Sequence, residues 1–82
     1  MKKTLYSPEK RELCKKLVEA REKANLKQSD VERVTGILQS ELSKIENGQR
    51  KIEFLTVVVL AQLYKVDISF FIPHVENHSN ES

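Results

Sequence analysis

The sequence predicts a small all-α protein. Its 82 residues are enough for one domain with a limited core. Charged residues make up 32% of the chain and aromatic residues 6%, a composition that suits helices with a solvated outer face better than an all-β fold. Apolar residues also recur at helical spacing along most of the chain. We therefore expect a compact group of five short helices without a large substrate cleft.

The first helix is predicted over residues 8–24. Ser7 can cap the free N–H groups at its start, and Pro8 suits the first helical position. Asn25 can adopt the left-handed conformation that ends a helix. Residues 1–6 form a basic arm before this helix. The apolar positions that define the helix are Leu13, Leu17, Ala20 and Ala24, with Cys14 beside them.

Two short helices are predicted over residues 28–35 and 39–47, and Gly36 permits the tight turn between them. At about 100° per residue, Leu38, Leu42 and Ile45 fall on the packing side of the second of these helices. The other side holds side chains that hydrogen-bond base edges and phosphates but form no catalytic set: Gln39, Ser40, Ser43, Lys44 and Asn47.

Both short helices lack a favourable residue at the N-cap, since Lys27 and Leu38 occupy those positions. Unfilled N–H groups at a helix start attract anions. A phosphate can therefore bind at the start of the helix over residues 28–35 with help from Lys27. Water can cap the same groups in the free protein.

A fourth helix is predicted over residues 54–64, although three consecutive valines there favour a strand. Asp67 can cap a fifth helix over residues 68–72, which Pro73 would end. Residues 74–82 are polar, and we expect the tail from residue 73 onward to be disordered. The helical spacing that decides for a fourth helix is that of Phe54, Val57, Val58, Ala61 and Tyr64.

The charge is unevenly distributed along the chain. Residues 1–51 carry 13 Lys and Arg against 8 Asp and Glu, whereas residues 52–82 carry 1 against 4. A basic region that faces a polyanion fits this pattern, and so does an ordinary mixed surface. The single cysteine, Cys14, excludes a disulfide framework and a cysteine-rich zinc module, and we expect it to be a buried small residue. The chain has neither a secretory signal nor a membrane-spanning run, so we expect a cytoplasmic protein.

Apolar residues are concentrated near the C-terminal end. If Phe54 and its helical neighbours face the core, Leu55 and Val59 fall toward the opposite side, and Phe70 and Phe71 cannot both point inward on a helix. We therefore predict a homodimer interface made by Leu55, Val59, Phe70 and Phe71. A monomer with exposed apolar side chains remains the alternative.

The segment QSELSKIENGQRK, residues 39–51, carries the most specific motif of the chain. With Leu26, Gln28, Val31, Gly36 and Leu60-Ala61, it resembles the phage-repressor and Cro-type, or XRE-like, helix-turn-helix family over about residues 13–72. The resemblance implies a five-helix, lambda-repressor-like domain in residues 7–72, whose third helix enters the major groove of double-stranded DNA. It further implies a homodimer on an inverted-repeat operator and a transcriptional role as a repressor or autoregulatory controller.

The resemblance also implies roles for individual residues. Base contacts fall on Gln39, Ser40, Ser43 and Lys44. Phosphate contacts fall on Gln28, Asn47, Arg50 and Lys51, to which the uncapped helix start adds Lys27. Arg21 and Glu46 match a structural ion pair.

Three positions complicate the resemblance. Leu38 replaces the family's usual capping residue, which can change how Gln39 is aimed, and Ala20 replaces a larger apolar residue. Glu41, beside the reading surface, can accept a hydrogen bond from cytosine, repel phosphates, or face solvent or a partner.

A second possible function is an antitoxin-type interaction module, which neutralises a partner toxin through the apolar C-terminal segment and can also bind its own operator. An enzyme is the weakest of the interpretations, because no nucleophile, base and orienting group converge. His74 and His78 have a metal-ligand spacing only if the tail is helical, so we expect a solvated pair. No cofactor and no metal are predicted.

Overall fold

The computed structural model describes residues 8–72 of the 82-residue chain. The predicted basic arm and polar tail, with His74 and His78, lie outside these residues. The described chain forms four α-helices and one short 3₁₀ helix, and it contains no strand. These elements are α1 (Pro8–Lys23), α2 (Gln28–Thr35), α3 (Gln39–Glu46), α4 (Phe54–Tyr64) and the 3₁₀ helix η1 (Ile68–Phe71).

The all-α class is confirmed, but the predicted fifth α-helix is a 3₁₀ helix instead. Phe70 N donates to Asp67 O at 2.9 Å and Ile72 N donates to Ser69 O at 3.1 Å, both across three residues. A four-residue segment is too short to gain enough i to i+4 bonds to offset helix nucleation, and short connecting segments often adopt the tighter 3₁₀ form.

A residue with positive φ lies at or just after the end of each α-helix. Asn25 (φ 60°) ends α1, and Gly36 (φ 85°) ends α2 and donates its N–H to Glu32 O at 2.8 Å. Gly48 (φ 77°) follows α3. Lys65 (φ 61°) ends α4 in the same left-handed conformation, which the sequence did not signal.

Every helix contributes to a single core. Cys14 is buried beside it, and its Sγ donates to Ile45 O at 3.3 Å, so it is a buried small residue as expected. Burial raises the pKa of this thiol, which keeps it protonated. The core consists of Leu17, Ala20, Val31, Leu42, Ile45, Val57, Leu60, Ala61, Tyr64 and Phe71.

Three apolar positions differ from the helical-wheel predictions. On α4 the buried stripe is Val57, Leu60, Ala61 and Tyr64, whereas Phe54 is exposed and Val58 is only half-buried. Phe54 continues this stripe one turn earlier, at the first residue of α4, so the stripe extends beyond the core that it packs against. Leu38 was predicted on the packing side of α3 but is 55% exposed, because its extended backbone (φ −61°, ψ 144°) does not continue the helix.

The burial of Phe71 argues against its place in the predicted dimer interface. This side chain is 1% exposed and belongs to the core of its own chain. Phe70 is half-buried: its ring meets that of Phe71 edge-on at 5.3 Å, and Lys16 Nζ lies 5.3 Å from its centroid. Successive side chains of the 3₁₀ helix point in different directions, so one ring fills the core while the other lies at its edge.

Candidate nucleic-acid interface

The two sides of α3 have opposite character. Leu42, Ile45 and Glu46 are buried against the other helices. The opposite side is polar, with Gln39, Ser40 and Lys44 exposed and Ser43 half-buried. Glu41 is also half-buried, beside this polar side. The four predicted base-contact residues, Gln39, Ser40, Ser43 and Lys44, therefore share one outward face, which we call the reading face.

The buried side of α3 is held by an ionic network. Arg21 of α1 donates from Nε to Glu46 Oε2 at 2.8 Å and from Nη2 to Oε1 at 3.1 Å. The Arg21 side chain is 13% exposed and that of Glu46 is 4% exposed. The hydrogen bond to Glu46 raises the pKa of Arg21 above its usual value, so the guanidinium keeps its positive charge. The structure thus brings the two predicted partners together in a bidentate geometry.

The same network reaches α2 and the turn before it. Arg21 Nη1 donates to Leu26 O at 2.9 Å, and Gln28 Nε2 donates to Glu46 Oε1 at 2.9 Å. The network therefore joins α1, the α1–α2 turn, the start of α2 and the end of α3. The Gln28 side chain, predicted to contact a phosphate, is therefore engaged within the protein.

Lys27 stands at the N-cap of α2 and is exposed. Its backbone N–H donates to Asp30 Oδ2 at 2.8 Å, while Asp30 N donates to Lys27 O at 3.0 Å. These bonds close the first turn of α2. The N–H groups of Gln28 and Ser29 point out of the helix start and have no acceptor within it.

The start of α3 is capped by a residue that the sequence did not reveal. Leu38 makes no side-chain cap, but Gln39 N donates to Glu32 Oε1 at 2.8 Å. Glu32 lies in α2, so the acceptor comes from the preceding helix across the Gly36 turn. The only signal in the sequence was the missing cap itself.

The predicted phosphate-contact residues Asn47, Arg50 and Lys51 are exposed at the end of α3 and in the loop after it. Lys10 Nζ donates to Arg50 O at 3.1 Å, which places α1 against this loop. A cavity of about 310 Å³ lies beside Asn47 and Gly48. It is also lined by three basic residues of α1 that the sequence analysis did not assign to the interface: Lys10, Arg11 and Lys15. Positive charge therefore continues from the loop onto α1.

A family model described as "Helix-turn-helix" matches residues 17–71, more than half of the chain. The chain belongs to the XRE-type helix-turn-helix family. No curated protein and no solved structure matched the chain. The matched segment contains the reading face, the Arg21–Glu46 pair and η1, and it begins after Lys10, Arg11 and Lys15.

As a member of this family, the chain is a DNA-binding regulator. The domains of this family are typically not enzymes. Within residues 8–72 there is no cluster of side chains suited to hold a metal ion. No helix in that range is long and apolar enough to cross a membrane.

Tyr64 lies in the core near the Arg21–Glu46 pair, but unlike that pair its polar group is not hydrogen-bonded within residues 8–72. Its hydroxyl is buried without a hydrogen-bond partner in the described part of the chain. Burial raises the pKa of Tyr64 to about 12, with a further rise from the Glu46 charge that Arg21 partly offsets.

Removing Arg21 should be strongly destabilising. Arg21→Met leaves the Glu46 carboxylate buried with only Gln28 to bind it, and we expect a loss of about 3–5 kcal/mol in the free energy of unfolding. Lys23→Met is the matched control: it removes the exposed Lys23–Glu19 pair of the same helix and should cost less than about 1 kcal/mol. Urea denaturation measures both, and similar losses in the two variants would contradict the role of the network.

Tyr64 should make stability depend on alkaline pH. Its folded-state pKa of about 12 exceeds the ordinary value of about 10. Between these values unfolding releases the phenolic proton, so the stabilisation present below pH 10 is lost as the pH rises toward 12. The full loss is about 2–3 kcal/mol.

Tyr64→Phe should remove this component and leave stability near neutral pH unchanged or higher, since the hydroxyl has no partner to lose. The measurement is urea denaturation from pH 8 to 11.5, with the variant subtracted from the unmodified protein. Parallel pH profiles would contradict the expectation.

Proposed function

We propose that this protein is a sequence-specific transcription regulator that binds an inverted-repeat operator as a homodimer. The observation that carries the proposal is the reading face of α3, whose opposite side is fixed by the core and by the Arg21–Glu46 pair. In this proposal the protein acts as a repressor or autoregulatory controller, by occupying DNA that the transcription machinery needs.

The chemistry of the reading face suits base edges in the major groove. Gln39 can form two hydrogen bonds with adenine, and Lys44 can donate to the O6 and N7 acceptors of guanine. Ser40 and Ser43 can donate or accept. A groove about 12 Å wide admits an α-helix, and the eight residues of α3 fit within it.

Phosphates on either side of the groove would fix the position of α3. Lys27 and the N–H groups at the start of α2 would bind a phosphate on one side. Asn47, Arg50 and Lys51, which follow α3, would bind phosphates on the other side. Such contacts set register and orientation without reading sequence. The basic side chains of α1 beside Asn47 add to this positive surface.

A dimer would give the short reading helix a useful site length, because one helix contacts few base pairs. Leu55 and Val59, one turn apart on α4, are 72% and 40% exposed. Phe54 is exposed next to them. These three side chains support a two-fold contact between α4 helices. Half-buried Phe70 of η1 is a further candidate for this contact, and buried Phe71 is excluded from it. Half-sites would lie about 34 Å apart, one turn of DNA.

Base-contact and phosphate-contact residues should respond differently to substitution. Selection from random duplexes defines the preferred site, and fluorescence anisotropy at several salt concentrations then measures affinity. Lys44→Ala should cost about 1–3 kcal/mol on the preferred sequence and relax the preference at one base pair. Lys51→Ala should weaken binding to all sequences and reduce the salt slope by about 0.9, the value for one neutralised phosphate.

Lys23→Ala is the control, since Lys23 lies on α1 outside the proposed contact set. It should change neither base preference nor salt slope appreciably. A selection that yields no preferred sequence at moderate salt would contradict the proposed function. Equal effects of Lys44→Ala and Lys51→Ala on every sequence would show that Lys44 does not contact a base.

The α4 contact is tested by the oligomeric state. Combining Leu55→Ser with Val59→Ser should convert the dimer to a monomer in sedimentation equilibrium and lower the affinity for an inverted repeat more than for a single half-site. Val34→Ser replaces another exposed apolar side chain, on α2, and should leave the dimer intact. A protein that is monomeric without any substitution, or a double variant that stays dimeric, would rule out this interface.

A further inference from the structure

Leu38 is exposed at the end of α3 that would approach the bases. It directly precedes Gln39, the first residue of the reading face. Its neighbour Ile37 packs against the core and Leu42 is fully buried, yet Leu38 itself is 55% exposed. The core therefore does not account for a leucine at this position.

Capping does not account for it either. An aliphatic side chain cannot accept hydrogen bonds from the N–H groups at a helix start, and it is therefore less favourable at the N-cap than Ser, Thr, Asp or Asn. In this chain Glu32 supplies the acceptor for Gln39 N. The N-cap role at the start of α3 is therefore filled by Glu32 and does not involve the Leu38 side chain.

The location of Leu38 suggests what its side chain contacts. In a helix-turn-helix protein the N-terminal residues of the recognition helix contact base edges. The major groove presents hydrogen-bonding groups on all four bases, but only thymine presents a methyl group there, at C5. An aliphatic side chain at this position therefore buries more apolar surface against thymine than against any other base edge.

We propose that Leu38 packs against the C5-methyl group of a thymine beside the base pair that Gln39 contacts, and so adds apolar readout to the polar reading face. This inference rests on the proposed function and names one feature of its DNA site. Val34 is also exposed, at 60%, but it lies in α2 before the Gly36 turn. It therefore provides a matched apolar control.

The test removes one methyl group at a time. The thymines of the selected duplex are replaced one at a time by deoxyuridine, which lacks only the C5-methyl group, and affinity is measured by anisotropy. In each half-site one thymine, when replaced alone, should weaken binding of the unmodified protein about fourfold, the value expected for burial of one methyl group. The other replacements should have little effect.

Leu38→Ala should bind the thymine duplex several-fold more weakly and should be insensitive to the same replacement. This variant retains the Glu32 cap, so it should unfold at nearly the same urea concentration as the unmodified protein. Val34→Ala should keep the full sensitivity to deoxyuridine. The effect of the substitution and the effect of the missing methyl group should then be coupled, as contacting groups are in a double-mutant cycle.

Two results would overturn the inference while leaving the proposed function standing. One is a preferred site in which no thymine replacement weakens binding. The other is a replacement that weakens binding equally for the unmodified protein and Leu38→Ala, which would leave Leu38 as a contact for a protein partner. Absence of any preferred sequence would overturn the proposed function and this inference together.

Discussion

The bidentate bond between Arg21 and Glu46 is the interaction on which the arrangement of the helices depends. A carboxylate as buried as that of Glu46 is stable only when its oxygens are well paired. Arg21 provides two donors and Gln28 a third. Because these donors come from α1 and α2 while the acceptor belongs to α3, satisfying one charge fixes the relative positions of three helices.

The two ends of α3 are each held by a glutamate. Glu46 anchors the C-terminal end to α1 and α2, and Glu32 accepts the first N–H at the N-terminal end. Neither contact uses a side chain of the reading face, since Glu32 binds only the backbone N–H of Gln39. The backbone therefore positions the polar side chains there. A rigid helix with free polar side chains can bind bases without a large ordering cost.

Local chemistry was enough to predict most of the elements. The Gly36 turn, the left-handed Asn25 and the helical spacing in residues 54–64 placed α2 and α4 at the bounds that the structure has. The motif in residues 39–51 predicted the family, and the match of the helix-turn-helix family model to residues 17–71 confirms it. The base and phosphate contacts remain predictions, since they concern a complex with DNA.

The errors arise where tertiary packing decides. Whether Phe54 or Leu60 is buried depends on where the core ends, and Phe71 is buried because the 3₁₀ helix turns it inward. The cap from Glu32 joins residues seven apart across a turn, so no local rule identifies it. Leu38 shows the same limit, because a helical wheel cannot describe a residue whose backbone is extended.

The most direct test of the central claim is chemical-shift mapping of the backbone amides on addition of the selected duplex. The account predicts that the large changes fall on residues 38–44, at the start of α2 and in the loop at residues 47–51, while the core-facing part of α4 changes little. Changes centred on α4 and η1, with α3 unaffected, would show that the reading face does not bind DNA and would contradict the account.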